Sequence, residues 1–421
     1  MGPLWSRGQA EQLAALNHHI HPHSGGQAYH SIRTLADGAP WLSSEERTPM
    51  RSFLPLSVLG LSSAALLFTL PAHAGPTYES ASEGTFTFYG QFSPSWTHFN
   101  DGAESQGELA DNAKSSSRVG FTIFQPIGDY ELNFKFETAI GFRASDSISQ
   151  FGEDRGLHWD RENLRHVDFS LKTPNYGTFY LGQGSMATDG IGEESQSPTT
   201  VVNDVAIGDA AGSYFLRQTD GTLSGISVGD AFGSFDGSRR GRIRYDSPSY
   251  MGVSLRTAYG RNILNSDDGD DYWDLALAYE NELASGITIT GGVGHSVRDR
   301  EDGGDDVKDT FASASVLLPS GFNAALTVGE RNDAGSYYYG QVGYVGNWVD
   351  WGKTSLAVDY YNGQDMVSDG DSAKSWGVAM VQNVASLKTD IYAGYRSYDY
   401  DDNATSYQKA TSYMVGARWK F

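Results

Sequence analysis

Residues 130–143 read YELNFKFETAIGFR. Tyr130, Leu132, Phe134, Phe136, Ile140 and Phe142 fall on one parity, and Glu131, Asn133, Lys135, Glu137 and Arg143 on the other. Alternate side chains of a β-strand point to opposite faces. The stretch is therefore a ribbon with one apolar side and one charged side.

The same period runs through the chain on either side. In TFTFYGQF (residues 85–92), Phe86, Phe88 and Phe92 oppose Thr85, Thr87, Tyr89 and Gln91; in RVGFTIF (118–124), Val119, Phe121 and Ile123 oppose Arg118, Gly120 and Thr122. The last ten residues, SYMVGARWKF, put Tyr413, Val415, Ala417, Trp419 and Phe421 on one face and Met414, Gly416, Arg418 and Lys420 on the other. No run of helical period interrupts the pattern after Gly75, and about sixteen strands near ten residues long are expected. One of them, DTFASASVLL (309–318), leaves its parity open.

The links between ribbons alternate in length. Short ones are expected at 126–129, 173–176, 247–252, 281–285, 319–321, 347–353 and 383–386. Long acidic ones are expected at 100–116, 144–164, 185–240, 262–271, 298–308, 362–374 and 399–410. Short turns at one end and long loops at the other are the pattern of an outer-membrane barrel. In lipid an open sheet would leave edge amides without partners, at several kcal/mol each. Closure removes the edges, turns the apolar row to the acyl chains and leaves the charged row around a water-filled lumen. The reverse orientation is excluded, because Lys135 or Arg244 at the midplane would cost roughly 2–4 kcal/mol each. The expected fold is an all-β, transmembrane, antiparallel up-and-down β-barrel. Its last strand closes on TFTFYGQF.

Composition excludes several classes. A mean hydropathy of -0.42 is too polar for a helical membrane protein, and 24 Tyr and 20 Phe are too many for a disordered chain. A formal charge of -22 argues against a nucleic-acid partner, which needs a basic surface. The absence of cysteine rules out disulfides and thiolate chemistry.

Residues 50–74, MRSFLPLSVLGLSSAALLFTLPAHA, have a positive end at Arg51, an apolar run and an Ala72-His73-Ala74 cleavage site, so they are expected to be a signal peptide. A transmembrane anchor is the alternative, against which Pro55, Pro71 and the interrupting serines count. Residues 1–49 show no period and are expected to be upstream sequence read in frame, with the barrel spanning 75–421.

The stretches SSRVGFTIFQPIGDYELNFKFE, RHVDFSLKTPNYGTFYLGQGS, RIRYDSPSYMGVSLRTAYG and the terminal ARWKF give the chain its resemblance to the Gram-negative general porins, across the whole of 75–421. The resemblance implies a homotrimer, a third external loop folded into the pore, and a terminal Phe421 read by the barrel-assembly machinery. It implies a pore constriction in which the acidic loop residues Asp189, Glu193, Glu194, Asp204 and Asp209 face a basic wall of Arg118, Lys135, Arg143, Arg242, Arg244 and Arg256. The plainer alternative is that these arginines pair with neighbouring carboxylates. Arg165 shares the parity of outward Val167 and Phe169, which places it at the rim or behind a bulge.

Acidic runs such as NSDDGDDYWD and DREDGGDDVKD lack the spacing of an EF-hand, so solvated loops, with loose divalent bridging to lipopolysaccharide as the alternative, are expected and no metal site is assigned. His166, Asp168 and Ser170 point the same way along one strand and cannot form a catalytic relay. No catalytic residues and no cofactor are expected. The reading is a general diffusion channel for small hydrophilic solutes and ions, in contact with outer-membrane lipid and lipopolysaccharide and preferring cations. A substrate-specific channel with Tyr180, Tyr337 and Tyr339 as a sugar slide is the alternative, and a barrel enzyme the more distant one.

Overall fold

The computed structural model describes residues 75–152, 156–332 and 334–421; the expected extension at 1–49 and signal peptide at 50–74 lie outside them. Sixteen strands form one antiparallel meander. They are β1 (Thr85–Phe92 continuing as Pro94–Asn100), β2 (Ser105–Asp111 resuming as Arg118–Ile127), β3 (Tyr130–Ala139), β4 (Leu164–Thr173), β5 (Gly177–Ser185), β6 (Arg239–Asp246), β7 (Val253–Arg261) and β8 (Asp271–Glu282). There follow β9 (Thr288–Asp299), β10 (Val307–Leu317), β11 (Phe322–Arg331), β12 (Ser336–Val349), β13 (Gly352–Gln364), β14 (Ser372–Val384), β15 (Thr389–Asp401) and β16 (Ala410–Lys420). Each pairs with the next, and β16 returns to β1 from Gly416↔Ser95 to Thr411↔Asn100, so the sheet is a closed barrel.

Closure differs from the sequence expectation in one respect. The last strand pairs mainly with Pro94–Asn100 and reaches TFTFYGQF only at its end, through Gln91↔Lys420 and Phe92↔Trp419. The final residue exchanges two backbone hydrogen bonds with Gly90, each 3.0 Å. A side chain at Gly90 would put its Cβ 2.5 Å from the Phe421 ring, so glycine is what lets that ring seat. Below this point the edge of β1 is covered by a short strand, Thr77–Glu79, instead of being left open.

The expected long link at 100–116 is also corrected. The turn is only 101–104, and Ser105–Asp111 pairs with β1. The sheet breaks at 112–117, where Asp111 accepts from the Ser117 amide and hydroxyl at 2.7 and 2.6 Å. These polar residues satisfy their hydrogen bonds locally and so read as loop in the sequence, although they sit against the lumen.

Alternation holds around the ring. Leu277, Val293, Leu326, Val342 and Val358 all face outward, at 51, 51, 57, 58 and 49% exposure, as a lipid-facing row requires. DTFASASVLL resolves with Phe311, Ser313 and Ser315 inward; Phe311 is buried because the third loop packs on it. The main buried apolar clusters among the described residues lie inside the barrel, between that loop and the inner faces of β8, β10–β16, β1 and the start of β2.

Leu277→Arg, on the lipid side of β8, is expected to lower stability by about 2–4 kcal/mol in urea titrations from lipid vesicles, while Ser170→Arg on the lumen side of β4 stays within about 0.5 kcal/mol. Equal losses would contradict the assignment of faces.

Candidate pore constriction

The third loop, residues 186–238, enters the barrel and is tied along its wall. At its neck, Asp274 of β8 accepts hydrogen bonds from the amides of Ala187 (3.1 Å) and Thr188 (2.8 Å) and from the Thr188 hydroxyl (2.6 Å). Asp236 clamps the two stems together by accepting the Gly190 and Gly192 amides, both at 2.7 Å. Further on, the Gln196 amide donates to the Ser315 hydroxyl (2.8 Å) and the Ser195 hydroxyl to Gln341 (2.8 Å). Gln341 then donates to the Asn203 carbonyl at 2.9 Å.

Two buried cations hold the far side. Arg396 of β15 bridges Asp359 of β13 (2.6 Å) and the Asn203 side chain. Lys114, in the break of β2, pairs with Asp204. The rest of the loop is seated by aromatic contacts: Phe99 stacks on Tyr214 with centroids 4.3 Å apart, and Phe232 meets Tyr398 at 5.2 Å. The Tyr361 hydroxyl donates to the Gly233 carbonyl at 2.6 Å. Burying so many polar groups is tolerable because most of them are paired; the Asn203 Nδ2, Tyr214 hydroxyl and Asp359 Oδ1 atoms are buried without a partner among the described residues.

The loop thus covers the inner face of β8–β16 and leaves most of the inner face of β2–β7 open. Glu137 is the hub of that open wall. Arg165 donates to it at 2.6 Å, Arg118 and Lys135 each lie 3.9 Å away, and the Tyr89 hydroxyl donates at 2.9 Å. Three cations share one carboxylate, so the patch is net positive. Arg165 arrives there through a β-bulge: Glu137 pairs with His166 and Thr138 with Leu164, so Arg165 is the extra residue and turns inward.

The other expected wall residues divide. Arg242 is consumed by Asp168 (2.7 Å) and by the carbonyls of Ser185 and Gly182. Arg244 is bidentate to Asp246 (2.7 and 2.8 Å) and donates to the Met186 carbonyl (2.7 Å), so it braces the neck of the loop. Arg256 faces the lumen from β7 and makes no ion pair among the described residues. Arg143 is not on the strand wall, because β3 ends at Ala139; it lies 3.5 Å from Glu108, in the second long loop.

Of the acidic residues, Asp189 approaches Arg239 at 3.7 Å and Asp204 is spent on Lys114. Glu193 is open to the lumen, and Glu194 hydrogen-bonds Thr290 and feels the charges of Arg256 and Glu280 beyond contact distance. Burial first, then Asp204 and Asp146, push the Asp209 carboxyl up to about 7, against the pull of Lys114. Glu193 is exposed to lumen water but enclosed by the barrel, and that enclosure, then the carboxylates of Asp204, Asp236 and Asp209, raise it above the usual range. A slide built on Tyr337 and Tyr339 is corrected: they are 4 and 2% exposed, beneath the loop, and only Tyr180 remains on the open wall.

Sequence reasoning missed Glu137, Lys114, Asp236, Asp274, Asp359 and Arg396 as site residues. Glu137 was legible as inward; its role as a shared partner depends on register and on the bulge.

A family model described as Gram-negative porin matches residues 61–403. The chain belongs to this family. This porin is therefore a β-barrel channel protein of the bacterial outer membrane. Solved structures agree in fold. The anion-selective porin from Comamonas acidovorans has 16% identity and a TM-score of 0.53, covering 80% of this chain and 100% of that one. Pseudomonas putida OprB, in a high-pH structure, has 8% identity and a TM-score of 0.54, covering 80% and 94%. Salmonella typhi OmpF in complex with daunomycin has 14% identity and a TM-score of 0.50, covering 82% and 100%. No curated protein matches by sequence.

Asp359→Ala is expected to leave the Arg396 guanidinium uncompensated, costing about 3–5 kcal/mol, and to loosen the loop. Single-channel recordings should then show larger and noisier conductance. Unchanged current together with unchanged stability would count against the clamp.

Proposed function

We propose that this porin is a general diffusion channel, rather than an enzyme, passing small hydrophilic solutes and ions with a modest preference for cations. The observation that carries the reading is the open arc of β2–β7 facing an inward-folded loop. The Glu137 patch and Arg256 on one side oppose Asp189, Glu193 and Glu194 on the other, and such a pairing sets a field across the water path. Constriction roles follow for Arg118, Lys135, Arg165 and Arg256. Arg242 and Arg244, held by carboxylates and carbonyls, support the wall instead. Cation preference is favoured by the net charge of -22, since negative potential at the mouths concentrates cations.

The functional unit we propose is a homotrimer. Its support is a phenylalanine-rich outer face on β1–β4, where Phe86 and Phe121 lie 5.2 Å apart, Phe121 and Phe136 5.4 Å, and Phe134 and Phe169 4.8 Å. Phe88 and Phe169 are exposed there, Phe86, Phe121, Phe134 and Phe136 are half-buried, and a contiguous aromatic surface of this kind suits a protein contact. Phe421 would serve as the assembly signal, residues 50–74 would direct export, and the acidic loop ends would bridge to lipopolysaccharide through divalent cations.

Reversal potentials in a potassium chloride gradient test the selectivity, and the expected sign is cation-preferring; clear anion preference would refute it. Asp209 and Glu193 are neutral below their raised pKa values and ionise as pH rises. With Asp209 pushed up to about 7, the potassium-to-chloride permeability ratio should climb between pH 6 and pH 8, and fall in Asp209→Asn. A ratio that drops as pH rises would contradict this. Conductance should arrive in groups of three steps per insertion, and single isolated steps would argue for a monomer.

A further inference from the structure

Behind the neck of the third loop, at the long-loop end of the barrel, lies a cavity of about 250 Å³ between the loop stems and the ends of β6 and β8–β11. At roughly 30 Å³ per water, it has the volume of about eight waters, enough for a free amino acid or a dipeptide. It sits behind the loop neck and shares only the end of β6 with the open arc described above.

Most of the charges around it are already matched. Arg331 holds Asp309 in a bidentate pair (2.6 and 2.8 Å), Arg298 pairs with Asp270, and Asp274 is filled by its three donors from the loop neck. Two are not. The Arg240 guanidinium lies 4.0 Å over the Tyr272 ring, donates to the Arg239 carbonyl at 2.8 Å and makes a side-chain hydrogen bond with Tyr272. It has no carboxylate partner among the described residues, and its Nε is buried without an acceptor. A guanidinium stacked on a ring keeps its N–H edge free, which is the geometry that takes a carboxylate. Asp236 is the converse case. Its oxygens accept the backbone amides of Gly190, Gly192 and Gly237, and no cation lies within ion-pair distance among the described residues. A carboxylate has about four acceptor sites, so room remains for an ammonium.

We infer that this cavity is a subsite for small zwitterions bearing both a carboxylate and an ammonium, of the free amino acid or dipeptide class. Arg240 on its Tyr272 plate takes the carboxylate and Asp236 takes the ammonium. The inference rests on the channel reading above and adds a solute class to it. Binding at the approach to a constriction must be weak enough to release the solute onward, so millimolar affinity is the working range.

The test uses glycylglycine, added on the long-loop side of single barrels in a planar bilayer. Concentration-dependent interruptions of the current are expected, and neither sodium acetate nor ethylammonium chloride alone should reproduce them at equal concentration. Arg240→Gln and Tyr272→Leu should each weaken the apparent affinity about tenfold, the size of one lost charged hydrogen bond, while open current persists and shows that the barrel has folded. Titration calorimetry in detergent reads binding without current; saturable heat lost in Arg240→Gln supports the subsite even where conduction fails. Ohmic current with neither interruptions nor saturable heat overturns the subsite and leaves the channel reading intact. Acetate acting as strongly as glycylglycine, or an unaltered response in both variants, overturns it as well.

Discussion

Hydrocarbon offers no hydrogen bonds, so every backbone amide that crosses it must find a partner in the chain. Ring closure meets that demand, and the rest of this porin follows from it. A closed sheet has two faces in different solvents, and alternation by residue then becomes alternation by solvent. The seam receives particular care. Phe421 bonds back to Gly90, its ring lies over the glycine, and Thr77–Glu79 covers the part of β1 that β16 does not reach.

A ring of sixteen strands is too wide to fill with its own side chains. The third loop takes up that space asymmetrically. It builds an apolar core against one half of the wall and pins itself there with buried polar pairs, of which Arg396, Asp359 and Asn203 form the most enclosed. The other half stays wet. Placing the core beneath the loop rather than at the barrel axis is what gives the pore two unlike sides, one a strand wall rich in arginine and one a loop edge rich in carboxylates.

Strand number, the inward and outward rows and most of the sorting of loops by length were legible in the sequence, because they depend on period two and on turn residues; the short link at 101–104, on the long-loop end, was not. Arg165 was legible as an anomaly, and the bulge explains it. The segment around Asn112 and Lys114 was not, since polar residues without a period look the same whether they lie in an external loop or plug a break in the sheet. Tyr337 and Tyr339 carried the inward parity of pore-lining residues. Whether an inward residue meets water or a loop depends on the path of residues 186–238, and that path is decided by contacts far apart in the chain. The same holds for Arg242 and Arg244, whose charges are neutralised by partners that only the register reveals.

The central claim is that the charged row meets water and the apolar row meets lipid. The chain contains no cysteine, so single cysteines can report on each face. Asn133→Cys and Leu277→Cys channels would be recorded in a planar bilayer while a charged, membrane-impermeant thiol reagent is added. The account requires the current through Asn133→Cys to fall stepwise on modification and that through Leu277→Cys to stay level. A response from Leu277→Cys with none from Asn133→Cys would contradict it.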